Sequence, residues 1–367
     1  MRIKKATFQV MRLPLAEPIR SARTPFRSTG LLSLDTDSGE VGWGEASPHS
    51  VAGQDLGRLG EALLNADPFD IRRILMQVSE QGLANAVETA LYDLMGKSLQ
   101  IPICTLLGGK YRERIGLTWV VTSRGDPEQR AKEALQFVER GFKEIKLKVG
   151  VDPKADLKAI EAMRELIGED INIRVDANCM WTENPKVAIK IIKSMEPHDL
   201  QAVEDPISRL ASEDPKNLAQ IRNAIVPLLE ADAIYRSPQG AYKLLQEGAV
   251  DVINIDFTKH GFSYGQAKEV LSVTKAAGAC CILGALGSES GVGSAALAHF
   301  AASSPYLESL SPYGAEILGP LWNEEDILKD PLKVEDGYLE LPSGPGLGVE
   351  IDQERIERHK TREYVIT

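Results

Sequence analysis

The chain has 367 residues, a formal net charge of -11 and a hydrophobic content of 43%. This length and composition predict a globular protein with a large core, arranged as one big domain and a smaller one. The acidic balance argues against a nucleic-acid surface, which needs clustered positive charge. We therefore expect a small molecule as the partner.

The start of the chain predicts a cytoplasmic protein. The segment MRIKKATFQVMRLPLAEPI has charges and prolines where a secretory signal has an unbroken apolar core. No apolar run is long enough to span a bilayer, so no membrane partner is expected. The four cysteines follow neither a disulfide nor a zinc spacing, and we expect reduced thiols.

Residues 1–115 predict an N-terminal α+β domain. Three short strands come first, and three helical segments follow them. The strands are ATFQV, LLSLDT and EVGWGEA, and the helices are DLGRLGEALLNA, FDIRRILMQVSEQ and LANAVETALYDLMGKSL.

From Gly116 the pattern changes to short apolar runs that alternate with long amphipathic segments. The runs are LTWVV, EIKLKV, INIRVDA, LQAVEDP, VPLLEAD, DVINIDF and CCILGAL, with a weaker candidate at AEILG. This alternation is typical of βα units and a parallel sheet. It predicts a TIM-like (β/α)-barrel over residues 116–334, with an open doubly wound sheet as the alternative. The tail, residues 335–367, is expected to pack back on the N-terminal domain.

Four charged residues recur every 28 positions, each at the end of a predicted strand. They are Lys148, Asp176, Glu204 and Asp232. The C-terminal strand ends of a barrel meet at one mouth, so this spacing would bring the four side chains together. An open sheet does not collect the ends of four successive strands. The spacing therefore favours the barrel.

The three carboxylates of this set suit a hard divalent cation. Mg2+ takes oxygen ligands and keeps open positions for water or substrate, and Mn2+ is a possible substitute. Ordinary alternatives exist, because Asp176 or Asp232 could cap a helix and Glu204 could pair with a lysine. Asn178 either contacts a metal-bound water or forms a turn.

The stretch KEIKLKVG alternates Lys146 and Lys148 with apolar residues. An antiparallel strand with one wet face gives the same pattern, but within a barrel both lysines would face the interior. Two neighbouring ammonium groups that are partly desolvated beside a cation disfavour each other's charged form, which predicts a neutral amine near neutral pH. Lys148 is then the general base and Lys146 its modulator, while the metal stabilises the enediolate that forms. An alternative makes Lys148 a Schiff-base lysine, as in an aldolase.

These motifs resemble the mandelate racemase and muconate lactonizing enzyme family of the enolase superfamily, over nearly the whole chain. IKLKVG resembles its K-x-K motif, and RVDAN, VEDP and LEAD resemble the segments that supply its metal ligands. The resemblance implies a modified, enolase-type barrel with an N-terminal capping domain. It also implies a Mg2+-dependent isomerase, of the racemase, epimerase or cycloisomerase type, that acts on a small carboxylate and assembles as a homo-oligomer, from dimer to octamer.

Further segments extend the resemblance and also depart from it. GSESGVGSAALAHF and AEILGPLWNEEDI imply that Glu289 and Glu316 are active-site groups. Where muconate lactonizing and dipeptide epimerase relatives have a lysine at the sixth strand, VINIDFTKHGF has Asp256. This aspartate is either a second acid/base, with a pKa raised by burial, or a partner of Lys146 or Lys148. Lys259 and His260 come too late in the alignment to replace the missing lysine.

The resemblance also points to two specificity loops in the capping domain, PIRSARTPFRS and EASPHSVAGQ. Arg20, Arg23, Phe26 and His49 are their candidate pocket residues. A dipeptide is not favoured, because Glu316 and Leu318 stand where dipeptide epimerases have an Asp-x-Asp pair. A dehydratase and a catalytically silent ligand-binding barrel are the remaining alternatives.

Overall fold

The computed structural model describes residues 1–16, 19, 25–50, 56–78, 81–285 and 289–367. Its strands are β1 (Ile3–Pro14), β2 (Phe26–Thr36), β3 (Val41–Ala46), β4 (Arg114–Gly116), β5 (Trp119–Val121), β6 (Glu144–Lys148), β7 (Asn172–Asp176), β8 (Leu200–Glu204), β9 (Leu228–Ala231), β10 (Val252–Asp256), β11 (Cys280–Gly284), β12 (Val334–Glu335), β13 (Tyr338–Glu340) and β14 (Lys360–Ile366).

The helices include many that follow a barrel strand. They are α1 (Leu56–Leu63), α2 (Ile71–Leu75), α3 (Gln81–Leu99), α4 (Ile103–Leu106), α5 (Pro127–Glu139), α6 (Pro153–Ile167), α7 (Pro185–Met195), α8 (Arg209–Ser212), α9 (Pro215–Arg222), α10 (Pro238–Gln246), α11 (Phe257–His260), α12 (Tyr264–Ala276), α13 (Gly291–Ala302), α14 (Gly319–Trp322) and α15 (Gln353–His359), with 3-10 turns at Glu196–His198 and Pro305–Glu308. Helix α2 is shorter than its predicted segment, and Ile74 is its buried residue.

The N-terminal strands form an antiparallel sheet in the order β14-β1-β2-β3. One edge strand, β14, comes from the C-terminal end of the chain. It pairs with β1, and Ala6 lies opposite Ile366. Helix α3 packs so closely on β3 that a Cβ on Gly44 would lie 1.9 Å from the carbonyl oxygen of Ala86. Only glycine permits this approach of helix and strand backbones. The domain limits at residues 115 and 334 stay a prediction.

The second sheet is the predicted barrel. Seven parallel strands follow the order β11-β10-β9-β8-β7-β6-β5. Ala315 closes the curled sheet, because it forms parallel bridges to Leu117 on one side and to Leu283 on the other. The weak strand candidate AEILG is therefore reduced to these bridges.

Several barrel helices begin with the same local signal. An Asp, Asn or Ser side chain accepts a backbone N–H of the first turn, and a proline follows at the first helical position, where its missing N–H costs nothing. The capping residues are Asp126, Asp152, Asn184, Asp214 and Ser237. In the described residues, no helix is both long and apolar enough to cross a membrane.

The strand register decides which charged residues become neighbours. Lys148 pairs with Asp176, and Asp176 pairs with Glu204, so these three form a row across β6, β7 and β8. The fourth residue departs from the row, because Glu204 pairs with Glu230 and Asp232 lies two residues further along. Strands β6 and β10 have three barrel segments between them on either side. Their C-terminal ends therefore face each other across the mouth.

Candidate active site

Lys146 lies inside the barrel among three carboxylates. Its Nζ is 2.5 Å from Glu204 Oε2, 2.9 Å from Glu316 Oε1 and 3.6 Å from Asp176 Oδ2. Burial alone would lower the pKa of Lys146, but these carboxylates outweigh it and hold the pKa well above its ordinary value. Lys146 is therefore a charged group that links the strand ends.

Lys148, at the end of β6, is the more accessible lysine. Its side chain is 27% exposed, against 1% for Lys146, and its Nζ contacts Asp176 Oδ2. Burial lowers the pKa of Lys148 and Lys146 adds to this, but the carboxylates, with Asp176 the strongest, raise it above its ordinary value. Among the side chains alone, opposite charges outweigh the repulsion between the two ammonium groups. The neutral lysine beside a bound cation stays a prediction.

Asp176 is held from both sides. Its Oδ1 accepts the N–H of Asn178 at 2.7 Å, while Lys148 contacts Oδ2. Asn178 has a φ of 49°, in the left-handed region that asparagine tolerates in turns. The turn reading of Asn178 therefore applies, and its backbone, not its amide group, orients the carboxylate.

A third carboxylate, that of Asp205, lies beside Glu204 and Asp232, and sequence reasoning missed it. One oxygen from each of Glu204, Asp205 and Asp232 lies within 4.8 Å of the others. Asp205 accepts the N–H of Asp232 at 3.2 Å and the N–H of Ala233 at 2.6 Å. It thereby fixes the backbone that carries Asp232. The signal was present in VEDP, where Asp205 directly follows Glu204.

The donor set fits a divalent cation. Glu204 Oε1 and Asp232 Oδ1 are buried, and neither has a hydrogen-bond partner within the described part of the chain. Buried carboxylate oxygens normally have a partner, and oxygen is the ligand that Mg2+ prefers. Lys146 pairs with Glu204, as the alternative to the metal reading foresaw. This ammonium lies against Glu204 Oε2 and leaves Glu204 Oε1 and Asp232 Oδ1 without a hydrogen bond among the described residues.

Asp256 and Lys259 lie at the end of β10, across the mouth from Lys148. Lys259 Nζ contacts Asp232 Oδ2 and is 3.9 Å from Asp256 Oδ2. Asp256 begins helix α11, because its Oδ1 accepts the N–H of Lys259 at 2.6 Å. Burial raises the pKa of Asp256 to about 7. Among the described residues, the ammonium within 4.0 Å of the Asp256 carboxyl is that of Lys259 and not that of Lys146 or Lys148. The single turn of α11 brings Lys259 to the mouth despite its late position in the sequence.

His260 supports the residue that follows the neighbouring strand β9. Its Nε2 is 2.9 Å from the carbonyl oxygen of Asp232, and burial lowers the pKa of His260 to about 2. A neutral imidazole donates this hydrogen bond and adds no charge to the cluster.

A buried arginine underlies the site and was not predicted. Arg174 donates to Glu144 at 2.9 Å, to Glu230 at 2.8 Å and to Glu316 at 3.0 Å. Lys146 and Arg174 together outweigh burial and lower the pKa of Glu316 to about 2. Arg174 is two residues before Asp176 on β7, so the alternation in INIRVDA placed it on the interior face. Glu316 thus reaches the interior, as the family resemblance implied.

Of the five remaining predicted residues, the structure describes Glu289, Phe26 and His49. Glu289 is buried just before helix α13, and its carbonyl oxygen accepts the side-chain amide of Asn323 at 2.9 Å. Phe26 is 41% exposed and stacks with Arg12, and His49 is exposed. Arg20 and Arg23 lie outside the described residues.

The fold and the site define an enzyme built on a capped barrel with a carboxylate cluster at its mouth. Residues 4–108 match the N-terminal domain of the mandelate racemase / muconate lactonizing enzyme family, and residues 129–355 match the enolase C-terminal domain-like family. The chain therefore belongs to the mandelate racemase / muconate lactonizing enzyme family of the enolase superfamily.

Named relatives agree with this membership. A hydrophobic dipeptide epimerase from Enterococcus faecalis is 30% identical, over 95% of this chain and 99% of its own. An N-succinyl-L-Arg/Lys racemase from Bacillus cereus is 31% identical, over 97% of each chain. The crystal structure of that racemase matches with a TM-score of 0.89 at 29% identity, covering 100% of both chains. A muconate cycloisomerase 1 from Rhodococcus opacus is 30% identical, over 95% of each. These relatives are isomerases, and the chain is an enzyme of this type.

Proposed function

We propose that this isomerase moves the proton on the carbon next to a carboxylate of a small organic acid, with a divalent cation as cofactor. The observation that carries the proposal is the row of Lys148, Asp176 and Glu204 on adjacent strand ends, with Asp256 facing it across the mouth. A base next to hard oxygen ligands is the arrangement that α-proton transfer requires.

Asp176, Glu204 and Asp232 would hold the cation, with Mg2+ as the expected metal and Mn2+ as a substitute. Bound there, it would stabilise the negative charge that develops on the substrate carboxylate when the α-proton leaves. Two observations support the assignment. The first is that Glu204 Oε1 and Asp232 Oδ1 are buried without a hydrogen-bond partner in the described residues. The second is a structure of the related E. faecalis epimerase complexed with Mg and the dipeptide L-Leu-L-Tyr, at 28% identity and a TM-score of 0.84 over 95% of this chain and 100% of that one.

Lys148 Nζ is the group that takes the α-proton. Its ion pair with Asp176 keeps the proton on Nζ. With Asp176 engaged as a metal ligand, this pair would be lost, the pKa of Lys148 would fall, and Nζ would release its proton to water, which leaves the lone pair that accepts the α-proton. Lys146 remains charged because three carboxylates surround it. Its part is to hold Glu204 and Glu316 in place, and it does not carry the transferred proton.

Asp256 is the group that we assign to the opposite face of the substrate. Burial keeps its proton up to a pH of about 7, so the carboxyl can deliver it from the β10 side. Abstraction by Lys148 and delivery by Asp256 would invert the α-carbon, which is the outcome of a racemase or epimerase. Asp256 caps α11, and the backbone N–H of Lys259 orients its carboxyl by donating to Oδ1.

Exchange of the α-proton tests the proposal. The wild-type protein is incubated in D2O with Mg2+ and a panel of N-acyl amino acids, hydroxy acids, acid sugars and lactones, and the products are analysed by NMR and mass spectrometry. We expect deuterium at the α-position, inversion of configuration and loss of both after EDTA. Loss of water would identify a dehydratase, and the absence of exchange in every acid would contradict α-proton transfer.

A further inference from the structure

Glu45 is a buried carboxylate of the capping domain that contacts the barrel. It lies on β3, opposite Leu31 of β2. Its oxygens accept the backbone N–H of Ser290 at 3.0 Å and the backbone N–H of Gly293 at 3.1 Å, and the hydroxyl of Ser290 donates to it as well. Ser290 is the N-cap of α13, and Gly293 lies in the first turn of this helix. The capping domain thus supplies a carboxylate that caps a barrel helix.

The contacts of Glu45 suit a carboxylate and not an amide. Thr29, on the neighbouring strand β2, donates its hydroxyl to Oε1 at 2.6 Å, so two N–H groups and two hydroxyls donate to the two oxygens. A carboxylate accepts all of them, whereas the NH2 of an amide would face a donor. Burial raises the pKa of Glu45, and the hydrogen bonds from Ser290 and Thr29 oppose this rise. A Cβ on Gly293 would lie 3.0 Å from the Glu45 carboxyl carbon, so the absence of a side chain there lets the helix approach.

The residue before this N-cap is Glu289, which the family resemblance places among the active-site groups. Its backbone is held from another side, since its carbonyl oxygen accepts the side-chain amide of Asn323 at 2.9 Å. Glu289 and Phe257 line one cavity together with Glu45, and Phe257 directly follows Asp256. The N-cap therefore fixes the backbone of Glu289 beside the strand end that carries Asp256.

We propose that Glu45 is a positioning residue of the active site, which holds the start of α13 so that Glu289 keeps its place at the mouth. This inference rests on the proposed function, because Glu289 is taken to act in the α-proton transfer. Glu45 itself contacts neither the carboxylates of the metal site nor Lys148 among the described residues, and it acts through the backbone of α13.

Glu88 offers a comparison that separates this role from simple attachment of the two domains. It is a second buried carboxyl group of the capping domain, on α3, and it accepts the backbone N–H of Tyr264 at the start of α12. Glu88 therefore also caps a barrel helix, but one that does not follow Glu289. A purely structural role would make Glu45→Gln and Glu88→Gln alike in their effect on the reaction.

The first test is amide hydrogen exchange, measured by mass spectrometry in the whole protein. We expect Glu45→Gln to speed exchange at the start of α13 about 10-fold or more, because donors lose a charged acceptor. Thr29→Val, which removes one donor from Glu45 and alters the fold less, should speed it to a smaller extent, and Glu88→Gln should act at the start of α12 instead. Unchanged exchange at the start of α13 in both Glu45→Gln and Thr29→Val would overturn the proposal.

The second test is a double-mutant cycle on the rate of α-proton exchange in D2O. We expect Glu45→Gln to slow the reaction about 10-fold in the wild-type background and about twofold or less in a Glu289→Gln background, because the group that it positions is then gone. Glu88→Gln should keep the wild-type rate within about threefold, since it caps a different helix. An equal loss from Glu45→Gln in both backgrounds would overturn the proposal.

The two tests also separate this inference from the proposed function. Absence of α-proton exchange in the wild type with every acid would contradict the proposed function. The amide exchange needs no substrate, so it would still show whether Glu45 holds the start of α13.

Discussion

Lys146 Nζ and Glu204 Oε2 lie 2.5 Å apart, and both side chains are 1% exposed. Glu316 and Asp176 also contact this ammonium, so one buried cation joins residues from four segments of the barrel. A buried charge is tolerated only when it is paired, and here the pairing holds the strand ends in register at the mouth. Asp176 and Glu204, which we propose as metal ligands, are thus also held in place by Lys146.

Loss of any one carboxylate of the metal site should weaken Mg2+ binding. We expect Asp176→Asn, Glu204→Gln and Asp232→Asn each to lower the affinity about 10-fold or more, because each removes an anionic ligand. Isothermal titration calorimetry with Mg2+, and then Mn2+, measures the change. Asp251→Asn is the control, since Asp251 precedes β10 at the opposite end of the barrel. Unchanged affinity in the three variants would contradict the assignment.

Asp256→Asn should separate exchange from inversion. The amide cannot deliver a proton, whereas Lys148 on the other side is unaltered. We expect one enantiomer of a substrate to exchange its α-proton at close to the wild-type rate, while inversion falls about 100-fold or more. Chiral chromatography and NMR in D2O measure the two quantities. Inversion at the wild-type rate would remove Asp256 from the mechanism.

Arg174→Met should destabilise the protein strongly. The substitution leaves Glu144, Glu230 and Glu316 buried without their shared cation, and removal of one partner of a buried pair costs about 3–5 kcal/mol in the free energy of unfolding. Urea denaturation measures the loss. Arg222→Met, which breaks the more exposed pair with Asp251, should cost about 1 kcal/mol or less. Similar losses in both variants would contradict the role of burial.

Glu88 should make stability fall as the pH rises towards neutral. Its carboxylate accepts the backbone N–H of Tyr264 at the start of α12, and burial raises its pKa from 4.5 to about 7 despite the hydrogen bonds and Lys268. Between these values the folded state binds the proton more tightly than the unfolded chain. The free energy of unfolding therefore decreases with increasing pH in this window, by up to about 1.4 kcal/mol per pH unit.

The variant Glu88→Gln cannot ionise and should flatten this part of the pH dependence. Urea denaturation at a series of pH values from about 4.5 to 7.5 measures the slope, and Glu139→Gln, at an exposed site on α5, is the control. The same slope in Glu88→Gln and wild type would show that another group is responsible.

Much of the site could be predicted from sequence because its signals are local. The alternation of Lys146 and Lys148 with buried residues predicted an interior face, and acidic residues at strand ends predicted the carboxylate cluster. The approach of Lys259 to Asp232 depends on the turn of α11, which joins residues from different strands. The charge state of the lysines depends on the balance among several carboxylates, which no local pattern gives.

The eighth barrel segment and the role of Asp205 also depend on contacts between segments, which local sequence signals do not give. Ala315 completes the barrel with single bridges, so the periodicity of a full strand is absent there. Asp205 is visible in the motif VEDP, but its structural role depends on two hydrogen bonds that it accepts from Asp232 and Ala233, after the next strand. Pairings of this kind become visible only when the sheet order and register are known.

The most direct test of the account is the rate of α-proton exchange in Lys148→Ala, measured by NMR in D2O with Mg2+ and a substrate that the wild type exchanges. We predict a loss of about 100-fold or more, with Mg2+ binding and circular dichroism retained, and no loss in the exposed control Lys132→Ala. Exchange by Lys148→Ala within about threefold of the wild-type rate would contradict the central claim, because the proton would then leave by another base.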